Sequence, residues 1–173
     1  MDIRHTRNVY NSVFKHLKAL LTSGSLITGA DGTLTMMDAY PTEDQMKKMV
    51  SYKDYDSTDS TLVALPVITI ETESFREKGR ELGSKSKDRT TPMMISIFAE
   101  TDIQADYFAD FIVSGLDRHD LRLYDFNQDY TSPPDTGKII LEDDYAGFFH
   151  YFESANQIFK NSIDLVFTLR TTN

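Results

Sequence analysis

Two apolar runs, separated by twenty polar and charged residues, constrain this chain more than any other feature. Residues 62–71 read LVALPVITIE, and residues 92–100 read PMMISIFAE. Both runs are rich in Val, Ile, Met and Phe, and Val67, Thr69 and Glu71 alternate with apolar neighbours. Short apolar runs of this kind, bounded by polar residues, are typical of β-strands. The sequence therefore predicts two central strands joined by an extended charged loop.

The chain is long enough to form a single domain. It has 173 residues, of which 40% are hydrophobic and 12% aromatic, so a core can form without stabilising disulfides or structural metals. Cysteine is absent, which excludes disulfides and thiolate metal sites. No apolar run approaches the roughly 20 residues that a membrane helix needs. We expect one domain over residues 1–173, with no membrane partner and no cofactor.

The net charge of −9 is distributed unevenly. Residues 72–91 hold six cations and four carboxylates, whereas residues 102–153 hold three cations and twelve carboxylates. The acidic balance repels nucleic acid phosphate, so we expect no sequence-specific nucleic acid binding. A basic segment beside an acidic body is typical of a solvated, mobile loop. The alternative is self-assembly, in which this segment of one subunit contacts the body of the next.

Amphipathic patterns predict two long helices. Apolar residues recur at spacings of three and four over residues 6–21, where Gly24 would follow the helix end. The second helix is predicted to begin after Thr101, which would cap it together with Gln104, and to end before Gly115. The predicted apolar face of this second helix consists of Ile103, Tyr107, Phe108, Phe111 and Ile112.

Shorter segments complete the predicted order. A capping box at Thr42 and Gln45 predicts a short helix that continues to about Tyr52. Strict alternation predicts a closing strand over residues 162–171. Further strands are predicted at 26–28 and 33–37, as a hairpin, and at 121–123, 139–141 and 147–153. The predicted fold is α+β, with a mostly antiparallel sheet, two long helices packed on one face, and the charged loop between two central strands.

Two short motifs resemble ligand-binding loops but lack the necessary surroundings. Residues 79–86 differ from the phosphate-binding pattern G-x-x-x-x-G-K-[ST] at Ser84 alone. A phosphate loop needs a strand directly before it and a helix directly after it, and here the next element is a strand. Asp54, Asp56 and Asp59 resemble a calcium loop, but the required Gly and Glu positions are not filled. Neither motif predicts a site.

Scattered carboxylates leave an enzyme as the least favoured alternative. Glu142, Asp143 and Asp144 precede His150, but no nucleophile motif and no second His at ligand spacing accompany them. We therefore predict no catalytic and no metal-binding residues. Four other candidate ligands are expected on solvated faces or at helix ends: His5, His16, Asp106 and Asp110.

The order of these elements resembles that of tail terminator (tail completion) and neck proteins of tailed bacteriophages. The resemblance rests on the first amphipathic helix, the strand LPVITIE, the charged segment containing RELGSK, the strand MMISIFAE running directly into TDIQADYFADFIVSGL, and the alternating last strand. It is clearest over residues 62–116. Residues 29–61 and 126–134 look like additional segments.

This resemblance implies a structural protein without an active site. Its subunits would form a ring, expected to be a hexamer, that caps the tail tube protein, stops tube growth and presents a surface to a head-side connector or stopper protein. The implied location is the tail or neck of the virion, and the host cytoplasm during assembly. The alternatives are a head-closure or other neck component, or a non-viral binding module of the same fold class.

A closed ring requires heterologous contacts, in which one surface complements a different one. Residues 72–91, which we call the arm and predict to be mobile in the free subunit, could supply one such surface. Phe75 and Leu82 would be its apolar anchors, unless Phe75 packs under its own loop. The cations of the predicted interface are Arg76, Lys78, Arg80, Lys85, Lys87 and Arg89.

Overall fold

The computed structural model describes residues 3–23, 35–37, 39–72, 76–79, 87–118, 121–153, 155 and 159–172. In chain order they form α1 (Ile3–Ser23), β1 (Thr35–Met37), α2 (Glu43–Lys47), β2 (Met49–Val50), a 3-10 turn (Tyr52–Asp54), β3 (Val63–Ala64), β4 (Val67–Thr72), β5 (Arg76–Gly79), β6 (Lys87–Ala99), α3 (Asp102–Arg118), β7 (Arg122–Tyr124), β8 (Asp135–Glu153) and β9 (Phe159–Thr172). The predicted α+β class is confirmed.

One seven-stranded sheet organises the described residues. Its order is β1-β4-β6-β9-β8-β7, and β5 pairs with β6 beyond the end of β4. Strand β6 is central, with β4 and β5 on one side and β9 on the other. All strand pairings in the seven-stranded sheet are antiparallel except that of β1 with β4. A separate two-stranded pair, β2 with β3, is also parallel.

The larger hydrophobic core, which we call the helix-side core, contains residues of the sheet and of both long helices. The stripe of α1 predicted from its spacing is buried, and the alternating residues of β9 face the same cluster, so both predictions are confirmed. In the strands the buried set comprises Ile68, Ile70, Met93, Ile95, Ile97, Ala99, Leu123, Ile139, Ile163, Leu165, Phe167 and Leu169. From the helices it receives Val9, Val13, Leu17, Leu21, Ala105, Phe108, Ala109, Ile112 and Leu116.

The apolar face predicted for α3 was wrong in part. Ile103 is 83% exposed and Tyr107 is 41% exposed, whereas Phe111 is partly buried and packs against the core as predicted. Ala105 and Ala109 take the inward positions together with Phe108 and Ile112. Small side chains on the inward face allow a helix to pack closely against a sheet.

The start of α3 agrees with its predicted cap, but its end does not. Gln104 donates its backbone N–H to Thr101 Oγ1 at 3.2 Å, as a capping residue requires. The helix passes through Gly115 and ends at Arg118. Gly115 packs against Leu20 of α1, and a Cβ at this position would overlap the Leu20 side chain. The glycine therefore permits close contact between helices instead of ending one.

A smaller core lies on the opposite side of the sheet, which we call the second face. Met49, Leu65, Val67, Phe98 and Phe152 are buried there. The Tyr40 and Phe152 rings meet the Phe98 ring edge-on at centroid distances of 5.5 and 5.1 Å. Residues 39–50 thus cover one end of this face.

The capping box of α2 is confirmed. Thr42 donates its backbone N–H to Gln45 Oε1 at 2.8 Å, and Gln45 donates its own to Thr42 Oγ1 at 3.3 Å. The helix ends at Lys47 and not near Tyr52, because Met49 and Val50 pair with β3. Local capping predicted the start, whereas a tertiary pairing decided the end.

Several predicted strand boundaries also differ. The predicted strands at 139–141 and 147–153 are parts of the single strand β8, whose register with β9 is irregular between Leu141 and Tyr145. Strand β6 begins at Lys87, five residues before the predicted start. The first apolar run is divided into β3 and β4 around a cis peptide bond at Leu65–Pro66. Of the predicted hairpin at 26–37, residues 26–34 lie outside the described residues.

Candidate functional site

The arm forms, in part, a β-ribbon that prolongs the sheet. Strand β5 pairs antiparallel with residues 87–90 of β6. The predicted loop is therefore a strand pair over residues 76–79 and 87–90. Its register places Lys78 opposite Asp88 and Glu77 opposite Arg89. The mobility of the arm stays a prediction.

The structure brings only some of the predicted interface residues together. Arg76 and Lys78 belong to β5, and Lys87 and Arg89 belong to the first part of β6. Arg89 is opposite Thr171 of β9, so it lies where the ribbon joins the sheet. The other four predicted interface residues lie outside the described residues: Phe75, Arg80, Leu82 and Lys85.

A groove of about 370 Å³ lies where the arm leaves the sheet. Its walls include Glu71 and Thr72 at the end of β4, Pro92 and Met94 of β6, and Val166 of β9. Met94 pairs with both Glu71 and Val166, on the second face of the sheet. The base of the arm therefore adjoins a partly apolar surface.

The exposed side of α3 is acidic. Asp102, Asp106 and Asp110 are exposed, and Ile103 and Tyr107 lie between them in sequence. The predicted solvated position of Asp106 and Asp110 is confirmed. Two exposed apolar side chains flanked by carboxylates form a surface that a basic partner with apolar anchors could contact.

A second candidate site is a cleft of about 350 Å³ between α2 and the paired strands β8 and β9. It is lined by Tyr40, Glu43, Met46, Lys47, His150, Phe152 and Ser162. Lys47 and Glu43 form an ion pair, with Nζ and Oε1 2.6 Å apart, at its rim. Residues 39–47 form one wall because Tyr40 donates its backbone N–H to Glu71 Oε1 at 3.0 Å.

A histidine–carboxylate pair lies beside this cleft. His150 Nε2 is 3.0 Å from Asp164 Oδ2. Burial raises the pKa of Tyr40 above its ordinary value, and the nearby carboxylates of Asp164 and Glu71 raise it further. The tyrosine hydroxyl therefore remains protonated and can donate a hydrogen bond well into the alkaline range.

A row of polar side chains crosses the sheet next to this pair. Thr69 of β4, Ser96 of β6 and Asp164 of β9 are consecutive cross-strand neighbours. Thr69 and Ser96 are buried, and their hydroxyls, like Asp164 Oδ1, have no hydrogen-bond partner among the described residues. An imidazole beside a carboxylate can act as a general base. The adjoining hydroxyls, however, are too deeply buried to meet a substrate.

Sequence reasoning missed the partner of His150. Glu142 contacts Arg170 Nε at 3.1 Å, so it belongs to a different ion pair. The signal for Asp164 was its polar position in an alternating strand, but only the β8–β9 register shows that the two side chains meet. His5 lies in the first turn of α1, one of its two predicted positions, but it is buried: it is 7% exposed, and its Nε2 lies 3.1 Å from Thr171 Oγ1. His16 is partly buried, with Nε2 3.4 Å from the Gly115 carbonyl oxygen.

Among the described residues, no group of three or more His, Asp or Glu side chains is arranged to hold a metal ion. None of the described helices has the combined length and apolarity that a membrane crossing requires. No protein-family model and no curated protein matches this sequence.

Proposed function

We propose that this protein is a virion assembly subunit of the tail-terminator type, which forms a hexameric ring between the tail tube and a head-side connector protein. The observation that carries the proposal is the separation of two complementary surfaces. The β-ribbon formed by residues 76–79 and 87–90 contains four cations and two carboxylates, and exposed carboxylates of Asp102, Asp106 and Asp110 lie on α3. Different surfaces that complement each other are what a closed ring of identical subunits requires.

The proposed subunit has two long helices packed on one face of a mostly antiparallel sheet. The helices and strands share the helix-side core, which supports that arrangement. The second face is only partly covered, so the groove at the base of the arm remains accessible. In the ring, the arm of one subunit reaches an acidic surface of the next, and the groove supplies apolar contact near it.

The cleft beside His150 supports a second candidate function less well. Its histidine–carboxylate pair could bind a ligand or accept a proton. The nearest hydroxyls that could act as nucleophiles belong to buried residues of the sheet. A monomeric binding module would use the same surfaces without forming a ring, so the mass of the assembly distinguishes it from the terminator. A head-closure or other neck component stays an alternative.

The first experiment is to measure the mass of the purified protein by light scattering and by native mass spectrometry. We expect one dominant species at six times the subunit mass of 19.8 kDa. Its stability should fall as salt rises, because exposed ion pairs are screened. A monomer at all concentrations, with no ring in electron micrographs, would contradict the proposed function.

The second experiment reverses the charge of the arm. Arg76, Lys78 and Arg80 are replaced together by Glu, which puts like charges against an acidic neighbour and should prevent ring formation. The control replaces three exposed cations elsewhere, Arg7→Glu, Lys48→Glu and Lys53→Glu, and changes the net charge equally. Both variants should melt close to the parent temperature. Equal loss of the ring in both variants would show that only the net charge matters.

A further inference from the structure

Most of β8 has an open outer edge within the part of the chain that the structure describes. Strand β9 pairs with β8 over nearly its whole length. On the other side, β7 reaches only as far as Asp135–Lys138, followed by a hydrogen bond from the Ile139 N–H to the Leu121 carbonyl. Residues 140–153, which we call the edge segment, have no described strand on this side. An edge of this length offers a row of backbone donors and acceptors to another strand.

The direction of the free backbone groups follows from the register. The N–H of Ile139 points outward, toward β7, and its partner in β9 is Thr171. In an antiparallel pair this direction alternates along the strand. The β8 residues opposite Phe167, Leu165 and Ile163 are Tyr145, Gly147 and Phe149. Their N–H groups therefore also point outward.

The edge segment has one protected part and one unprotected part. Glu142, Asp143 and Asp144 occupy the irregular stretch between Leu141 and Tyr145, and both charge and irregularity discourage pairing. The eight residues that follow read YAGFFHYF, with no proline and no carboxylate. Phe148 is 53% exposed there. Such a stretch is a site where β-strand addition is favoured.

The arm carries a second open edge on the opposite side of the sheet. Strand β5 pairs with β6, and no other described strand borders it. The described residues of the ribbon, 76–79 and 87–89, contain four cations and two carboxylates, a net charge of +2, whereas residues 140–153 contain four carboxylates and no Lys or Arg, a net charge of −4. The two edges are complementary to each other, and each would repel a copy of itself.

We propose that β5 of one copy of this chain pairs with the edge segment of β8 in the next copy, so that the sheet continues from subunit to subunit. This inference rests on the proposed ring, and it names the contact that builds it. Because the two edges lie on opposite sides of the same sheet, the pairing is heterologous and repeats at each subunit. A pairing of β8 with β8 would place −4 against −4 and would end at a dimer.

The first test changes one outward N–H. Gly147→Pro removes the donor, and proline is tolerated where its nitrogen faces away from the sheet. Gly147→Ala is the matched control, since its Cβ would lie 3.4 Å from Leu165 Cδ2, an ordinary contact. We expect the proline variant to need about tenfold more protein, or more, to assemble, and the alanine variant to assemble as the parent does. Equal assembly of both variants would overturn the inference.

The second test does not depend on how the proline variant folds. The chain has no cysteine, so introduced cysteines report on one contact. Glu77→Cys is combined in turn with Tyr145→Cys, Gly147→Cys and Phe149→Cys, and the proteins are oxidised at assembly concentration. A ladder of linked oligomers in at least one double variant, absent from the single variants, is the expected result. Dimers from Gly147→Cys alone, or no ladder in any double variant, would overturn the pairing.

These outcomes are separable from failure of the proposed function. If the parent protein and the proline variant both form the ring, the proposed β5–β8 contact is refuted and the proposed ring is retained. If the parent protein stays monomeric, both the proposed ring and the proposed β5–β8 contact are refuted.

Discussion

The two faces of the sheet differ in the side chains that pack on them. The helix-side core is almost wholly aliphatic and aromatic and is closed by two long helices. The second face has a small aromatic core at one end, a row of buried hydroxyls beside Asp164, and, among the described residues, a groove at the base of the arm. Stability should therefore depend mainly on the first face, whereas the second can vary its contacts without loss of the fold.

The largest expected effect is on the helix side. Phe167→Ala empties a fully buried site and should lower the free energy of unfolding by about 3–5 kcal/mol. Phe148→Ala, at an exposed position of β8, should change it by less than about 0.5 kcal/mol. Urea unfolding followed by circular dichroism measures both values. Similar losses in the two variants would break the distinction between the faces.

The helix caps offer a second comparison. Thr101→Ala removes the cap of α3 and should reduce global stability by about 1 kcal/mol. Thr42→Ala removes the same interaction from α2, a five-residue helix that covers the cleft, and should act mainly by local opening. Hydrogen exchange of residues 43–48 should then accelerate while the melting temperature changes little. A global loss at Thr42 equal to that at Thr101 would show that α2 unfolds with the whole domain.

Buried hydroxyls give a smaller effect of the opposite sign. Thr69 Oγ1 on the second face and Thr91 Oγ1 on the helix side are both buried without a described partner. Replacing such a hydroxyl by a methyl group of the same shape is nearly neutral or stabilising, by up to about 1 kcal/mol. We expect Thr69→Val and Thr91→Val both to raise the melting temperature slightly. A loss confined to Thr69→Val would indicate that the polar row serves a hydrated network.

The smallest effect should depend on pH and disappear in acid. Hydrogen bonds from Asn8 of α1 and from Asn127 lower the pKa of Asp125 to about 2. A carboxylate with a lowered pKa stabilises the fold above the ordinary value of 3.8, and this stabilisation is lost as the pH falls toward 2. Asp125→Asn should therefore reduce the melting temperature at pH 6, and the difference should narrow by pH 2.5. A constant difference across this range would contradict the assigned role of the charge.

The sequence predicted the helix-side core better than the second face, for a physical reason. Alternation in β9 and the stripe of α1 are local patterns, and burial follows directly from them. The inward face of α3 was misjudged because two alanines, rather than Ile103 and Tyr107, pack on the sheet. A pattern search weights large apolar residues, whereas close packing can favour small ones.

The candidate sites depend on register, which no single segment contains. Residues 142–146, which include three acidic residues, separated two predicted strands, although the structure has the single strand β8 there. The contact of His150 with Asp164 and the two parallel pairings likewise join residues far apart in sequence. The charge of the arm was evident from composition, but its pairing as a ribbon was not.

The contact of Gly115 with Leu20 links two positions that are 95 residues apart in the chain. The space between the helices is shared, so volume added at one position must be removed at the other. Gly115→Ala alone forces the Leu20 side chain aside, whereas the same change made together with Leu20→Ala leaves room for the new methyl group. The two substitutions should therefore be non-additive, and a chain that diverged at either position would be expected to change at both.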